Sequence, residues 1–485
     1  MNYNFSKWIV SCFLAIVLTM TSGCDFLEQA PEDTLTRDEY FETEADANSS
    51  IVAAYDALQV CTLDMAIYGE ARADLVYTIA LNDLDNVARL TSQYLDQDVI
   101  YARWNKFYTL LNRVNTVIEF VPDIVSKDYR FTQDKSDAIL AEAYFLRALT
   151  YFYIVRIWGE APLITTATSS DNVEFRIPKA SQEEIWTQIE ADLRLAEASI
   201  PAVRQSNDHT RGRATKGAVN ALQADVYLWR GKFQESADAA KKVIDNESLY
   251  RLVPGSQWIN MFIEKNSTEG IFEVQFNGLQ SEGGYNYSGN FIINPLLIED
   301  YTAVSDAVRG ANATYRLSSG YQIWKWVAGD ASGTITRPRS DANWIVYRLA
   351  DVMLMRAEAL NHLGAPGNTA NKQAAIDLIN TIRNRANIAP TDLDENSSTE
   401  NIDDAILHER KLELAYEGKR WFDLLRVATR DNRPEVLIDN VVRGHLLSNQ
   451  TLIRARIVDP RSWYMPIYRL ELSSNQNLTQ NPYYL

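Results

Sequence analysis

The stretch HERKLELAYEGKRWFDLLR, residues 408–426, decides the fold of this chain of 485 residues. Together with the preceding Leu407, its apolar side chains recur at spacings of 7, 7 and 4 residues, which is the pattern of one helix face: Leu407, Leu414, Trp421 and Leu425. Its charged side chains are placed for i, i+3 and i+4 pairing: Glu413, Glu417, Arg420, Asp423 and Arg426. We interpret the stretch as one structural helix whose charges fix packing and perform no chemistry.

Two segments outside this stretch repeat a helix–glycine–helix plan. The first runs from 219 to 229, ends at Gly231 and resumes from 233 to 244; the second runs from 346 to 363, ends at Gly364 and resumes from 374 to 386. Small residues at the helix contacts and a glycine at the turn are what a tetratricopeptide repeat requires. One such match could be an unrelated helical hairpin. Two matches and an apolar helix at 139–157 predict a helical repeat core.

The segment from 250 to 339 has a different character. It is rich in Gly, Asn, Ser and aromatic residues and has little helical periodicity. Residues 270–276 are β-prone, and residues 283–289 (GGYNYSG) form a loop pattern. The predicted fold class is therefore mainly α: a tetratricopeptide-repeat-like helical core with an irregular, loop-rich aromatic region, carrying short strands, packed on it.

The N-terminus has the anatomy of an export signal. Lys7 precedes an apolar run at 8–20, and small residues lead into Cys24. A cysteine directly after the small residues indicates a lipoprotein, with residues 1–23 as signal peptide, lipidation of Cys24 and a polar tether at 24–37. A plain secreted protein with a cysteine near the cut is the alternative. Apart from the predicted anchor cysteine, Cys61 is the one thiol after the signal, so no disulfide framework is expected.

The charge balance limits the possible partners. A formal net charge of −17 argues against nucleic acid and against an anionic membrane surface as electrostatic partners. Contact with a membrane is therefore expected through the lipid anchor only.

Several motifs together resemble one known family. Residues 408–426 resemble the E-R-x-x-E-L-x-x-E-G-x-R-x-x-D-L-x-R helix of the SusD/RagB family. Residues 464–483 resemble the closing motif of that family, with Tyr468 and Tyr483 in place of the usual Pro and Gly. Further similarity lies, in family order, at 141–148, 156–164 and 351–360. The chain is identified as a member of this family, with an N-terminal SusD-like helical region at 38–249 and a C-terminal RagB/SusD region at 250–485 that includes ligand-binding loops.

The resemblance implies a lipid-anchored lipoprotein of the outer membrane that faces the outside of the cell. Such proteins capture nutrients, most often glycans, and act as the lid of a SusC-like TonB-dependent transporter barrel. The acidic residues after the cysteine resemble the tag that sends such lipoproteins to the surface, although a solvated linker is the alternative: Asp25, Glu28, Glu32 and Asp33.

Sequence motifs of enzymes are absent. Gly418–Lys419 lacks the earlier glycine of a phosphate loop, and His408–Glu409 lacks the second histidine of a zinc site. We expect no enzyme activity, no cofactor and no metal. A glycosidase needs only two facing carboxylates, so among 64 Asp and Glu residues a surface glycoside hydrolase remains the rival. A purely structural scaffold is a third reading, which the aromatic loops disfavour.

Aromatic residues outside the helical pattern are the ligand-binding candidates. Tyrosine and tryptophan stack on sugar rings while amides and charged groups bond hydroxyls. The candidates are Tyr285, Asn286, Tyr287, Tyr321, Trp324 and Trp326, together with Tyr68, Arg72 and Asp74 in the early segment, where the family usually places ligand contacts. Burial in the core is the alternative for each aromatic, and a peptide is the alternative ligand.

Overall fold

The structure is a computed structural model that describes residues 40–78, 86–168, 174–278, 291–317, 322–327, 332, 334, 341–364 and 369–485. Its helices are α1 Glu44–Glu70, α2 Asn86–Thr91, α3 Asn105–Lys127, α4 Gln133–Trp158, α5 Gln182–Ser199, α6 Asn207–Gly212, α7 Lys216–Trp229, α8 Phe233–Ile244, α9 Asn260–Glu264, α10 Pro295–Ala303, α11 Leu349–Leu363, α12 Thr369–Arg385, α13 Thr399–Glu413, α14 Arg420–Arg430, α15 Pro434–Arg443, α16 Leu447–Ile457 and α17 Arg469–Ser474. The predicted signal peptide, Cys24 and the tether lie outside the described residues.

Helices that follow one another in the sequence pack as pairs, and one pair packs on the next. Helix α4 packs on α5, α7 on α8, α8 on α11, and α11 on α12. Ser236 on α8 shows why small residues are needed there, because its hydroxyl donates to the Ala224 carbonyl of α7 at 2.8 Å. Gly231 ends α7 with a φ of +69°, which glycine adopts without strain. The predicted mainly α, repeat-like fold is confirmed.

Two long helices form the centre of this core. Helices α1 and α4 are long and apolar enough to cross a membrane, by length and composition alone. In this fold, however, 61% of the apolar window of α1 and 83% of that of α4 are buried against other parts of the chain. They are core helices, hydrophobic on several faces because neighbours cover several faces.

Short antiparallel strand pairs interrupt the helices. The strands are β1 Val76–Thr78, β2 Ala161–Pro162, β3 Lys179–Ala180, β4 Gly270–Val274, β5 Phe291–Ile293, β6 Tyr315–Arg316, β7 Gln322–Ile323 and β8 Trp344–Arg348. They pair as β1–β5, β2–β3, β4–β8 and β6–β7. Val346, expected in a helix, belongs to β8, and α11 begins only at Leu349. The β-branched and aromatic run at 344–347 explains this strand.

The decisive stretch is not one helix, as the sequence predicted. Helix α13 ends at Glu413 and α14 begins at Arg420. In the turn between them Tyr416 and Gly418 have φ angles of +67° and +72°. This turn fits tightly against α1, because a Cβ on Gly69 would lie 2.0 Å from the Gly418 carbonyl oxygen. The apolar side chains of the stretch are nevertheless buried, at 407, 414, 421 and 425.

A single hydrophobic cluster runs from Phe41 to Ile467 and includes residues on both sides of the predicted boundary at 249/250. The division into regions at 38–249 and 250–485 stays a prediction.

Candidate functional site

A buried network of charges surrounds the turn between α13 and α14. Glu413 accepts from Arg309 Nη1 at 2.8 Å, and also contacts Arg348 and Arg385. Burial alone would raise the pKa of Glu413, but the guanidinium groups of Arg385, Arg348 and Arg309 outweigh it and hold this pKa well below its usual value. These ion pairs join β8, α12 and α13 into one unit.

The predicted local pairing of the motif charges is therefore largely wrong. Asp423 and Arg426 do form an i,i+3 pair, at 2.9 Å. Glu417 instead pairs with Arg348 and with Lys325 Nζ, the latter at 2.9 Å. The interpretation that these charges fix packing agrees with their burial, since both carboxylate and cation are removed from solvent.

Tyr68 lies in the core, contrary to its assignment as a ligand contact. Its side chain is 3% exposed, and its hydroxyl donates to the Tyr101 carbonyl. The Trp158 ring packs edge-on against it at 5.6 Å between centroids. A ring enclosed in this way offers no face to a sugar.

Arg72 and Asp74 are buried structural groups rather than ligand contacts. Arg72 donates to the carbonyls of Ser462 and Trp463 at 2.8 and 2.6 Å. Asp74 accepts two hydrogen bonds from Arg420, at 2.7 and 2.9 Å. Burial would raise the pKa of Asp74, but Arg420 and Lys411 lower it to about 2. Both side chains join distant parts of the chain.

The tryptophans of the middle region are also covered. Trp326 is 2% exposed, donates from Nε1 to the Tyr416 carbonyl at 2.8 Å and stacks on Trp344. Trp324 is buried as well, and the Arg316 guanidinium lies 4.9 Å from its ring centroid. The strand beside these tryptophans, β7, is only two residues long. A segment this short shows no periodicity, so the sequence did not reveal that the tryptophans are buried.

The remaining candidates lie outside the described residues: Tyr285, Asn286, Tyr287 and Tyr321. The structure does describe the residues on either side of these candidates. Thr78 pairs with Phe291, so the segments at 79–85 and 279–290 leave the β1–β5 pair at the same end. Strand β7 contacts β5, and the β6–β7 hairpin carries the connection that contains Tyr321. The strand pairing thus brings the anchors of the candidate loops into one region.

Described side chains in this region include residues that the sequence did not single out. Leu317, at the start of the β6–β7 connection, is half exposed. Asp341 accepts from Lys265 Nζ at 2.9 Å and from the Gly278 amide at 3.3 Å, which fixes the chain directly before 279–290. The contact of Asp341 with Lys265 and Gly278 lies beside the long-range pair of β4 with β8, so no local sequence signal could have found it.

One group of side chains has the composition of a metal site. Ligand atoms of His362, Asp403 and Asp431 lie within 4.8 Å of one another. Arg430 already places positive charge there, with Nη2 3.2 Å from His362 Nε2 and an ion pair to Asp431. The cluster therefore acts as a junction of polar contacts between α11, α13 and α14.

Models of two known families match the chain. The model described as "SusD family" matches residues 297–484, and the model described as "Starch-binding associating with outer membrane" matches residues 25–228. The SusD-like protein P2 of Formosa agariphila is 27% identical over an alignment of 537 residues, gaps included. This alignment covers 97% of this chain and 98% of that protein.

Solved structures share the fold. A SusD superfamily protein of Bacteroides vulgatus superimposes with a TM-score of 0.74 at 22% identity, covering 91% of this chain and 99% of that one. A laminarin-binding SusD-like protein superimposes with a TM-score of 0.69 at 24% identity, covering 91% of this chain and 100% of that one. Since matches to the family extend over residues 25–228 and 297–484 and the fold agrees, the chain belongs to the SusD/RagB family.

Proposed function

We propose that this chain is a glycan-binding lipoprotein of the outer membrane that captures its ligand without cleaving it. The observation that carries the proposal is the common anchoring of the candidate loops. Loop 279–290 contains Tyr285, Asn286 and Tyr287, and the β6–β7 connection contains Tyr321. Two tyrosines that flank an asparagine in the sequence, and a third tyrosine in the β6–β7 connection, are residue types that supply the flat faces and the hydrogen-bonding groups that a sugar needs.

The relatives support a glycan as the ligand class. One matching family model is described as starch-binding, and one structural neighbour as laminarin-binding. A peptide is the second candidate, because tyrosine and asparagine in surface loops also suit peptide backbones.

Retention of polysaccharides tests this function. The mature chain without its anchor is incubated with immobilised laminarin and starch, and the supernatant is analysed for released sugars. Retention without released sugar is expected. Released sugar would favour a glycoside hydrolase, and retention of peptides in place of glycans would favour the peptide-binding alternative.

We further propose that the chain is anchored through Cys24 and covers a TonB-dependent barrel as a lid. One described surface supports a macromolecular partner. Helix α16 turns Ile453 and Ile457 into the core, yet apolar side chains on this helix and directly beside its two ends are more than half exposed: Leu446, Leu447, Leu452 and Val458. Apolar patches of this kind mark interaction sites in soluble proteins.

A pull-down from detergent-solubilised membranes tests the lid. We expect a large β-barrel to copurify with the C-terminally tagged chain and to be lost from a variant carrying Leu447→Glu and Leu452→Glu. Leu195→Glu on α5 is the matched control, because Leu195 is 51% exposed on a different helix. If no barrel copurifies with the folded wild type, the chain is a free-standing receptor and the lid proposal is wrong.

A further inference from the structure

A cavity lies at the end of α4, and none of the ligand-binding candidates predicted from the sequence lines it. Its volume is about 330 Å³, which lies at the small end of the range of ligand pockets. Three separate parts of the chain line it: the end of α4 with Glu160, strand β3 with the start of α5, and the closing segment at 460–464 and 481–482. The family motif at the C-terminus therefore forms one of its walls.

The cavity is lined by the aromatic ring of Tyr464 and by polar side chains around it. Tyr464 is half-buried, and Pro460 and Pro482 add flat apolar surface. Around them lie hydrogen-bonding side chains of both signs and an amide: Glu160, Lys179, Gln182, Arg461 and Asn481. A flat apolar platform with several directional polar groups is the composition that binds a saccharide.

Glycine at position 159 leaves room for the ring. Its φ of +76° is one that other residues adopt only with strain. A Cβ there would lie 3.3 Å from Tyr464 Cδ1 and 3.2 Å from Gln182 Nε2, so it would crowd both groups. The backbone of Gly159 thus lies close to one edge of the Tyr464 ring.

The platform is held in place from several directions. The Met465 amide donates to the Ile157 carbonyl at 2.8 Å, and the Tyr484 hydroxyl donates to the Tyr464 carbonyl at 2.9 Å. Arg72 holds the carbonyls of Ser462 and Trp463, as described above. These contacts fix the backbone that carries the ring, so little backbone freedom is lost when a ligand stacks on Tyr464.

The polar groups at the rim can still change partners. Glu160 pairs with Lys179 at 3.0 Å, and the Glu160 side chain is 53% exposed. Arg461 pairs with Asp459, and its side chain is 61% exposed. In each pair one partner is more than half exposed, and such pairs contribute less to stability than fully buried ones, so a ligand hydroxyl can replace the exposed partner.

Two larger cavities differ from this one in their lining side chains. The cavity of about 510 Å³ is lined mainly by charged side chains, and the cavity of about 550 Å³ by a mixture of charged, amide and aliphatic side chains. Those charges pair with one another, as Arg213 does with the buried Glu142 at 2.7 Å. Neither cavity is lined by tyrosine or tryptophan. The cavity beside Tyr464 is therefore the better carbohydrate site of the three.

We propose that the cavity between the end of α4 and the segment 460–464 is a second glycan subsite, with Tyr464 as its stacking platform. This inference rests on the proposed function, because it takes the ligand to be a glycan. A glycan long enough to reach both regions would contact the chain twice, which raises its apparent affinity beyond that of a single contact.

Binding of laminarin and starch oligosaccharides to Tyr464→Ala and Arg461→Ala tests the subsite. We expect each variant to bind a long oligosaccharide about tenfold more weakly than the wild type. Tyr464→Phe keeps the ring and should retain most of the affinity, and Tyr129→Ala, at an exposed tyrosine far along the chain, should retain all of it. Arg461 is exposed, so its variant remains informative if Tyr464→Ala fails to fold.

Crystals of the wild type soaked with the same oligosaccharide give a readout that does not depend on folding of a variant. Sugar density over Tyr464 supports the subsite. A wild type that binds glycans only elsewhere, with unchanged affinity in Arg461→Ala, overturns the subsite and leaves the proposed function intact. A wild type that binds neither polysaccharide nor oligosaccharide overturns both.

Discussion

Arg348 donates two parallel hydrogen bonds to Glu417, from Nε to Oε2 and from Nη2 to Oε1, both at 2.8 Å. The two residues are 69 positions apart and both are almost fully buried. The planar fork of the guanidinium matches the carboxylate, so the pair fixes orientation as well as distance. The last residue of β8 is thereby joined to the turn between α13 and α14.

Removal of one charge from this pair should strongly destabilise the fold. Glu417→Gln keeps the shape but leaves Arg348 and Lys325 buried with one counter-charge fewer, which should cost about 3–5 kcal/mol in the free energy of unfolding. Chemical denaturation measures this cost. Glu235→Gln, at an exposed position of α8, is the control and should change stability by less than about 0.5 kcal/mol. Equal stability of the two variants would show that the network is not structural.

Gly69→Ala should destabilise the protein although alanine favours helices. Glycine inside α1 costs about 1 kcal/mol relative to alanine, so propensity alone predicts stabilisation. The added Cβ would, however, lie 2.0 Å from the Gly418 carbonyl oxygen, and backbone must shift to relieve the contact. A lower melting temperature is expected. Ser49→Ala, at an exposed position on the same helix, should not lower it. A stabilised Gly69→Ala variant would refute the tight contact.

Glu70 should make stability fall as the pH rises. Burial raises the pKa of its carboxyl group to about 8, despite hydrogen bonds from the amides of Gly418 and Lys419. The folded-state pKa lies above the unfolded value of about 4.5. The contribution of Glu70 to the free energy of unfolding is therefore fully present below about pH 4.5 and is lost as the pH rises to about 8. Glu70→Gln removes the titrating group but keeps an oxygen to accept from Gly418.

Melting temperatures of wild type and Glu70→Gln across this pH range check the prediction. The difference in favour of the variant should grow from pH 4.5 to pH 8. The same series on Glu235→Gln provides the control for general pH effects. A difference that is constant with pH would mean that Glu70 is ionised at all these values.

Periodicity predicted those parts of the fold that depend on local sequence. The bounds of α8 were anticipated from Phe233 to Ile244, and Gly231 was recognised as the end of α7, because amphipathic helices and glycine stops are local signals. The break between Glu413 and Arg420 was missed, since contact with Gly69 on α1 decides it. Sequence spacing likewise suggested neighbouring partners for Glu417, whereas its partners come from β8 and from Lys325.

The candidate site was less predictable than the fold. Tyr68, Asp74 and Trp326 have the residue types of a ligand site, but packing and hydrogen bonding bury them. Residue type does not distinguish a stacking aromatic from a core aromatic, because both use the same large apolar face. The pairing of Thr78 with Phe291, which anchors the segment that contains Tyr285 and Tyr287, joins residues more than 200 positions apart.

Cys24→Ala should release the chain from the membrane. Without the cysteine no acyl chains can be attached, and the described part of the mature chain holds α1 and α4 inside its core. Cell fractionation should find the variant outside the membrane fraction, in cells that lack the proposed transporter barrel. A variant that stays in the outer membrane under those conditions would contradict the anchor.

The affinity of Tyr287→Ala for the captured glycan tests the central claim most directly. Isothermal titration with laminarin and starch oligosaccharides should show a loss of about 1–3 kcal/mol in binding free energy relative to the wild type, with an unchanged melting temperature. Tyr129→Ala, which removes an equally large ring at a site that is 91% exposed, should bind as the wild type does. If Tyr287→Ala and Tyr285→Ala both bind the glycan with wild-type affinity, capture by the aromatic loops is wrong.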